Sequence, residues 1–174
     1  MQIDILPIGR IDRDILEGIT ESIAKTFRCG VRVIKDVPLP EDAYNPQRRQ
    51  YISSKILGGI TSLKTGGTDL VLGVTDADIY APELNFVFGE ADTRAGVVLI
   101  SLARLRPEFY GLRPDRRLFR ERAVKEAVHE LGHACGLDHC DNPECIMYFS
   151  NSILDTDRKG PGFCGICKET LGIT

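Results

Sequence analysis

The sequence predicts one α/β domain in which helices pack on a mixed sheet, closed by a small loop-rich C-terminal part. Three observations lead there. Short apolar strands alternate with helix-period segments through the first two thirds of the chain, one long helical segment follows, and beyond Gly136 the periodic signal fades while Cys, Gly, Pro and Asp accumulate. With 174 residues the chain can bury one sizeable core and not two. A single domain over 1–174 is therefore expected, with an N-terminal subdomain over 1–136 and a C-terminal one over 137–174.

The elements follow in order. Gln2 to Ile8 alternates as a strand does, and Ile15, Ile19, Ile23 and Phe27 recur at helical spacing within Asp12 to Phe27. Val31 to Val37 reads as a second strand. Pro38, Pro40 and Asn45-Pro46 punctuate a loop before a second helix expected over Gln47 to Leu57. Asp69 to Thr75 is a short apolar run of the buried-strand kind. Phe86 to Phe88 is expected to be an edge strand, and Gly96 to Leu102 a further strand. A long helix should run from Asp115 to Cys135 and stop at Gly136, because glycine takes the left-handed conformation that ends helices.

Composition excludes several classes. Hydrophobic residues are 43% and charged residues 27% of the chain, the balance of a globular protein. The net charge of -3 offers no global attraction for nucleic acid or for an anionic membrane, so neither is expected as a partner. No apolar run reaches the roughly 18 residues of a membrane span. The N-terminus reads as the start of a strand, without a leader or latency segment, and the expected setting is the cytoplasm.

All three histidines of the chain lie in one stretch, His129-Glu130-Leu131-Gly132-His133-Ala134-Cys135-Gly136-Leu137-Asp138-His139. On a helix, positions four apart lie about 40° from each other, so His129 and His133 can reach one metal from one face. Glu130 stands about 100° from His129, too far round to replace it as a ligand yet close enough to act on a water at that metal. Val124, Val128, Leu131 and Cys135 would form the opposite, core face. A reversal at Gly136 lets His139 return as a third ligand. Three protein ligands leave a fourth position open, the arrangement of catalytic zinc, and Glu130 then fits the role of general base and acid in hydrolysis.

Four residues separate Cys140 from Cys145 and two separate Cys164 from Cys167, the spacing of a closed, structural zinc site. Two disulfides, four thiols or an iron–sulfur cluster compete with that reading; the spacing and the reducing setting favour zinc. The cofactor expectation is two zinc ions per chain. Cys29 and Cys135 lack such partners and read as small buried residues.

Together with Met147, these residues resemble the archaemetzincins, a family of the metzincin clan. The resemblance rests on His129, Glu130, His133, Gly136, His139, Cys140, Cys145, Met147, Cys164 and Cys167, with Cys145-Ile146-Met147 similar to the family's Cys-x-Met turn. It covers about the last quarter of the chain. The interval from Met147 to Cys164 holds sixteen residues, one fewer than the family pattern, across a loop containing Lys159-Gly160-Pro161-Gly162. The resemblance implies a metzincin-like fold with a cleft between the subdomains, Met147 as a hydrophobic floor beneath the catalytic metal, and zinc-dependent hydrolysis of peptides; endo- or aminopeptidase action stays open, and a monomer is the expected state. It also implies an edge strand that binds substrate, with Phe86 to Gly89 as the candidate. Where some metzincins carry a tyrosine two residues after the methionine, this chain has Phe149, and no tyrosine role is expected.

Two weaker signals carry less. Arg113, Arg116, Arg117, Arg120, Arg122 and Lys125 interleave with Asp115, Glu121 and Glu126, the pattern of a solvated helix face. Asp76 and Asp78 mark only an acidic loop. The rival to a peptidase is a metal-stabilised binding module without turnover; Glu130 weighs against it, because a structural site has no use for a general base.

Overall fold

The computed structural model describes residues 1–173, so Thr174, the end of the expected C-terminal subdomain, lies outside the described residues. Its centre is β1 (Gln2–Ile8), buried from its second residue onward. Helix α1 (Arg13–Phe27) starts where the Asp12 carboxylate accepts the Asp14 N–H, and it buries Ile15, Ile19, Ile23 and Phe27. The strands that follow are β2 (Gly30–Val33), β3 (Tyr44–Asn45) and β4 (Gln50–Ile52), then helix α2 (Ser53–Leu63). After β5 (Leu70–Thr75) and β6 (Ile79–Tyr80) come β7 (Gly89–Asp92) and β8 (Val97–Ser101). The main sheet has the order β2-β1-β5-β8-β7; β3, β4 and β6 form a small second sheet. Every pairing in the main sheet is parallel except β7 with β8, so an antiparallel strand forms that edge.

Alternation along the strands sorts the core into two layers. Leu6, Ile8, Val71, Val97 and Leu99 meet Ile56 and Ile60 of α2 on one face. Ile3, Ile5, Leu72, Val98 and Ile100 meet α1 and the long helix α3 (Arg116–Ala134) on the other. The C-terminal part, with α4 (Ile153–Arg158) and α5 (Gly165–Leu171), adds Ile146, Met147, Ile153 and Phe163 to that second layer.

Charged groups tie this part to α3. Arg122, only 3% exposed, grips Asp157 through two bonds of 2.7 Å. Lys125 Nζ donates to the carbonyls of Thr156 and Asp157. Lys159, fully buried, places Nζ 2.9 Å from Glu126 Oε1. Removing one partner of a buried pair of this kind costs roughly 3–5 kcal/mol, because the other charge stays desolvated.

Several sequence expectations shift. The second helix begins at Ser53 and not at Gln47, because Asn45 Oδ1 accepts the Gln47 and Arg48 N–H groups and turns the chain into β4, which pairs with β6. Phe86 to Phe88 is not a strand. Val87 N–H bonds Ile79 and the Phe88 carbonyl accepts from Ser101, so the segment crosses between the sheets, and the true edge strand starts at Gly89. The second strand stops at Val33, and Val37 makes a single bridge to Ile8 before Pro38. The basic face of α3 is not wholly solvated: Arg122 and Lys125 face α4, and Arg116 and Arg120 pair with α1 carboxylates. Cys29 and Cys135 are half-buried and not interior, as is Val124.

Asp4 is a charge inside the sheet, 3% exposed on β1. Its carboxylate accepts two bonds from Arg32, at 2.7 and 2.9 Å, and one from Thr68 at 2.6 Å. The Arg32 guanidinium holds the carboxyl below the usual carboxylate range. A depressed folded-state pKa gives stability that is fully present above the unfolded value near 3.9 and lost as pH falls through the folded one. Asp4→Asn should therefore lower the melting temperature at pH 7 and flatten the acid limb of the Tm-against-pH curve below about pH 4, measured by calorimetry.

Candidate metal centre and cleft

Helix α3 is nucleated by Asp115, whose carboxylate accepts the Leu118 N–H at 2.9 Å. It ends in a reversal at Gly136, φ 93°, where Gly136 N–H bonds His133 O and Leu137 N–H bonds Gly132 O. That reversal returns His139 to the helix. The ligand atoms of His129, His133 and His139 all lie within 4.8 Å of one another.

Two of the rings are fixed by carbonyls. His129 Nδ1 lies 2.8 Å from Ile146 O and His133 Nδ1 2.7 Å from Leu137 O. A carbonyl can only accept, so each Nδ1 carries the proton and each Nε2 presents a lone pair. These two Nε2 atoms are 3.1 Å apart. Lone pairs that close repel unless a cation lies between them, and nitrogens on a tetrahedral zinc at about 2.0 Å stand about 3.3 Å apart. The donor set fits zinc. Burial, with the Lys159 charge, pulls His129 down to about 4, and burial lowers His139 too, so both stand neutral at pH 7, as ligands must.

Ile146 and Met147 lie under the histidines in a turn closed by Tyr148 N–H to Cys145 O. Met147 is fully buried against Gly132, where any Cβ would stand 2.5 Å from its sulfur. Phe149 packs its ring against His139, centroids 4.8 Å apart.

Glu130 is buried beside this triad. Desolvation, reinforced by the Glu126 charge, pushes its carboxyl up to about 8. A divalent cation among the imidazoles acts in the opposite direction. The side chain packs on β7 at Gly89, where a Cβ would meet Glu130 Cγ at 2.6 Å and Oε1 at 2.8 Å. Glu130, the three histidines and Glu126 line a cavity of about 460 Å³, walled by Leu84 to Gly89 on one side and Phe149 to Asn151 on the other. Arg104, bound to Asp78 at 2.7 and 2.8 Å, stacks over Phe86 and so braces that wall.

The cysteine cluster is separate. The four thiols of Cys140, Cys145, Cys164 and Cys167 lie within 4.8 Å of one another. Cys140 and Cys164 sulfurs are 3.8 Å apart and those of Cys145 and Cys167 3.7 Å, too far for disulfides and equal to the spacing of about 3.8 Å that sulfurs adopt on tetrahedral zinc. The Cys167 backbone N–H draws Cys164 down to about 7. The Cys140 N–H bonds Met147 O, which joins the cluster to the turn under the histidines.

Thus the chain brings together every ligand candidate in the sequence. Gly89, Phe149, Ser150 and the Glu126–Lys159 pair give no such signal: they matter only through neighbours distant in sequence.

The fold and this site define a metal-dependent hydrolase of the HExxH class. The chain belongs to the archaemetzincins: the family model for Peptidase family M54 matches residues 8–172. The archaemetzincins of Pyrococcus furiosus and Methanocaldococcus jannaschii are 46% and 45% identical to it, over 96% and 98% of this chain and 90% and 93% of theirs. Among solved structures, archaemetzincin from Archaeoglobus fulgidus superposes with a TM-score of 0.84 at 40% identity, covering 98% of this chain and 99% of that one. A zinc-dependent peptidase from Methanocorpusculum labreanum superposes with a TM-score of 0.89 at 33% identity, over 97% and 99%.

Gly89→Ala tests the packing of Glu130. The added methyl meets Glu130 from Cγ to the carboxylate, so the side chain has to move, at an overpacking cost of about 1–3 kcal/mol. We expect peptide hydrolysis to fall about a hundredfold and the melting temperature to drop by a few degrees, with the zinc content unchanged.

Proposed function

We propose that this chain is a zinc metallopeptidase in which His129, His133 and His139 hold the catalytic zinc and Glu130 moves the proton. The observation that carries this reading is the pair of Nε2 atoms 3.1 Å apart with both Nδ1 atoms tied to carbonyls, beside a carboxylate in a cavity. When bound, zinc supplies Lewis acidity toward a carbonyl oxygen and a water molecule. Glu130 accepts the water's proton at a carboxylate oxygen and passes it to the amide nitrogen that leaves. The walls at Phe86 and Phe149 limit the access of bulk water. Substrate adds as a strand to the outer edge of β7, Gly89–Asp92, in place of the Phe86 to Gly89 segment expected from the sequence.

Cys140, Cys145, Cys164 and Cys167 hold a second, structural zinc, for a total of two per chain. Met147 serves as the floor and Gly136 as the turn that returns His139. Among the described residues no helix is long and apolar enough to cross a membrane. A cytoplasmic setting is our reading from the reduced cysteine cluster. A binding module without turnover is the weaker alternative, since Glu130 would have no task in it.

Glu130→Gln should retain both metals and lose peptide hydrolysis by about 10²–10⁴-fold, measured on a mixed peptide library with zinc determined by emission spectrometry. Equal activity of the two proteins would remove Glu130 from the mechanism. Cys164→Ser should lower the zinc content by one ion per chain and make the segment after Gly136 sensitive to a second protease, while Glu130→Gln stays resistant.

A further inference from the structure

Beside the metal centre the cavity has a polar corner that the hydrolysis of a peptide bond does not require. Glu126 stands one helical turn before His129 and Glu130, is 2% exposed, and lines the same cavity. Its Oε1 is engaged by Lys159 Nζ at 2.9 Å and by Thr156 Oγ1 at 3.2 Å. Its Oε2 takes no hydrogen bond from the described residues. Ser150, on the opposite wall, has a buried Oγ without a partner. Among the described residues, the buried side-chain N and O atoms that lack a hydrogen bond are this Oγ and Lys159 Nζ, whose contact with Glu126 is an unaligned ion pair. Lys159 Nζ touches Glu126, and Ser150 lines the cavity that Glu126 also lines.

Buried polar atoms without partners are uncommon in native proteins and call for a missing group. Phe86, Phe88 and Phe149 supply aromatic surface to the same cavity, alongside Asn85, Asn151 and the metal-centre side chains. We propose that Glu126 and Ser150 form a specificity subsite for a substrate side chain that ends in an N–H donor, seated beside the cleaved bond with its stem between the aromatic rings. This rests on the peptidase reading of the same cleft.

The chemistry selects by what a wrong guest leaves undone. A leucine or phenylalanine side chain would leave Glu126 Oε2 and Ser150 Oγ shut away from water without a hydrogen bond. A donor tip satisfies Oε2, and Ser150 Oγ can donate to an amide oxygen. Lys159 lies behind Glu126 and balances its charge, so the corner asks for a donor and not strictly for a cation. Glutamine and asparagine share that chemistry with lysine and arginine.

The test compares three zinc-loaded proteins on a peptide library with cleavage sites mapped by mass spectrometry: wild type, Ser150→Ala, and the double variant Glu126→Leu/Lys159→Met, which removes both charges together. In wild type one position flanking the cleaved bond should favour Gln, Asn, Lys or Arg over Leu and Phe by about tenfold or more. The double variant should invert this preference. Ser150→Ala should lower cleavage at Gln and Asn several-fold more than at Lys and Arg if amides are the native guests, and equally little at all four if cations are. Since Ser150 Oγ has no partner to lose, that variant is expected to fold even if the double variant does not.

Binding supplies a readout independent of turnover. Zinc-loaded Glu130→Ala should bind peptides carrying Gln or Lys about tenfold more tightly than the same peptides carrying norleucine, measured by calorimetry. A wild-type protein that cleaves nothing but ranks these peptides so would lose the peptidase reading and keep the subsite. An apolar preference at both flanking positions, a profile unchanged in the double variant, or norleucine peptides bound as tightly as the others, would overturn the subsite.

Discussion

The second half of α3 is enclosed on every side. From Glu126 to Gly132 each residue is buried, including two carboxylates and an imidazole. A polar group taken from water has to be partnered by the protein or remain a standing cost. Much of the chain after Gly136 can be understood as a set of partners for this helix. Asp157 answers Arg122, Lys159 and Thr156 answer Glu126, Ile146 O answers His129, and Leu137 O answers His133. The two hydrogen bonds to the histidines also choose their tautomers, so the packing of the helix and the readiness of the metal site are one event.

That arrangement explains why a segment with few apolar residues is folded at all. Residues 137–173 contribute Ile146, Met147, Ile153 and Phe163 to the core they share with α1 and the main sheet. The four cysteines close this segment on itself, and the bond from Cys140 N–H to Met147 O passes that closure to the turn beneath the histidines. A metal held by those thiols would thus fix the floor of the cleft while standing outside it.

Close approach matters as much as charge. Gly132 lets Met147 rest against the helix, and Gly89 lets the edge strand lie against Glu130. Both glycines are ordinary in conformation and needed for space. Their neighbours, Met147 and Glu130, lie 15 and 41 residues away in sequence, at distances no local pattern conveys.

Local chemistry was legible in the sequence. The strand of Gln2–Ile8, the helices at α1 and α3, the stop at Gly136 and the two clusters of candidate ligands follow from periodicity and spacing, which act within a few residues. Where elements are short, partners decided. Gln50–Ile52 became a strand because β6 was there to pair with it, and Phe86–Phe88 lost its strand by crossing between two sheets. Only tertiary structure could join Glu126 to Lys159 or set Ser150 in the wall of the cleft, because the free energy of a buried polar group is set by what surrounds it, and its surroundings come from the far ends of the chain.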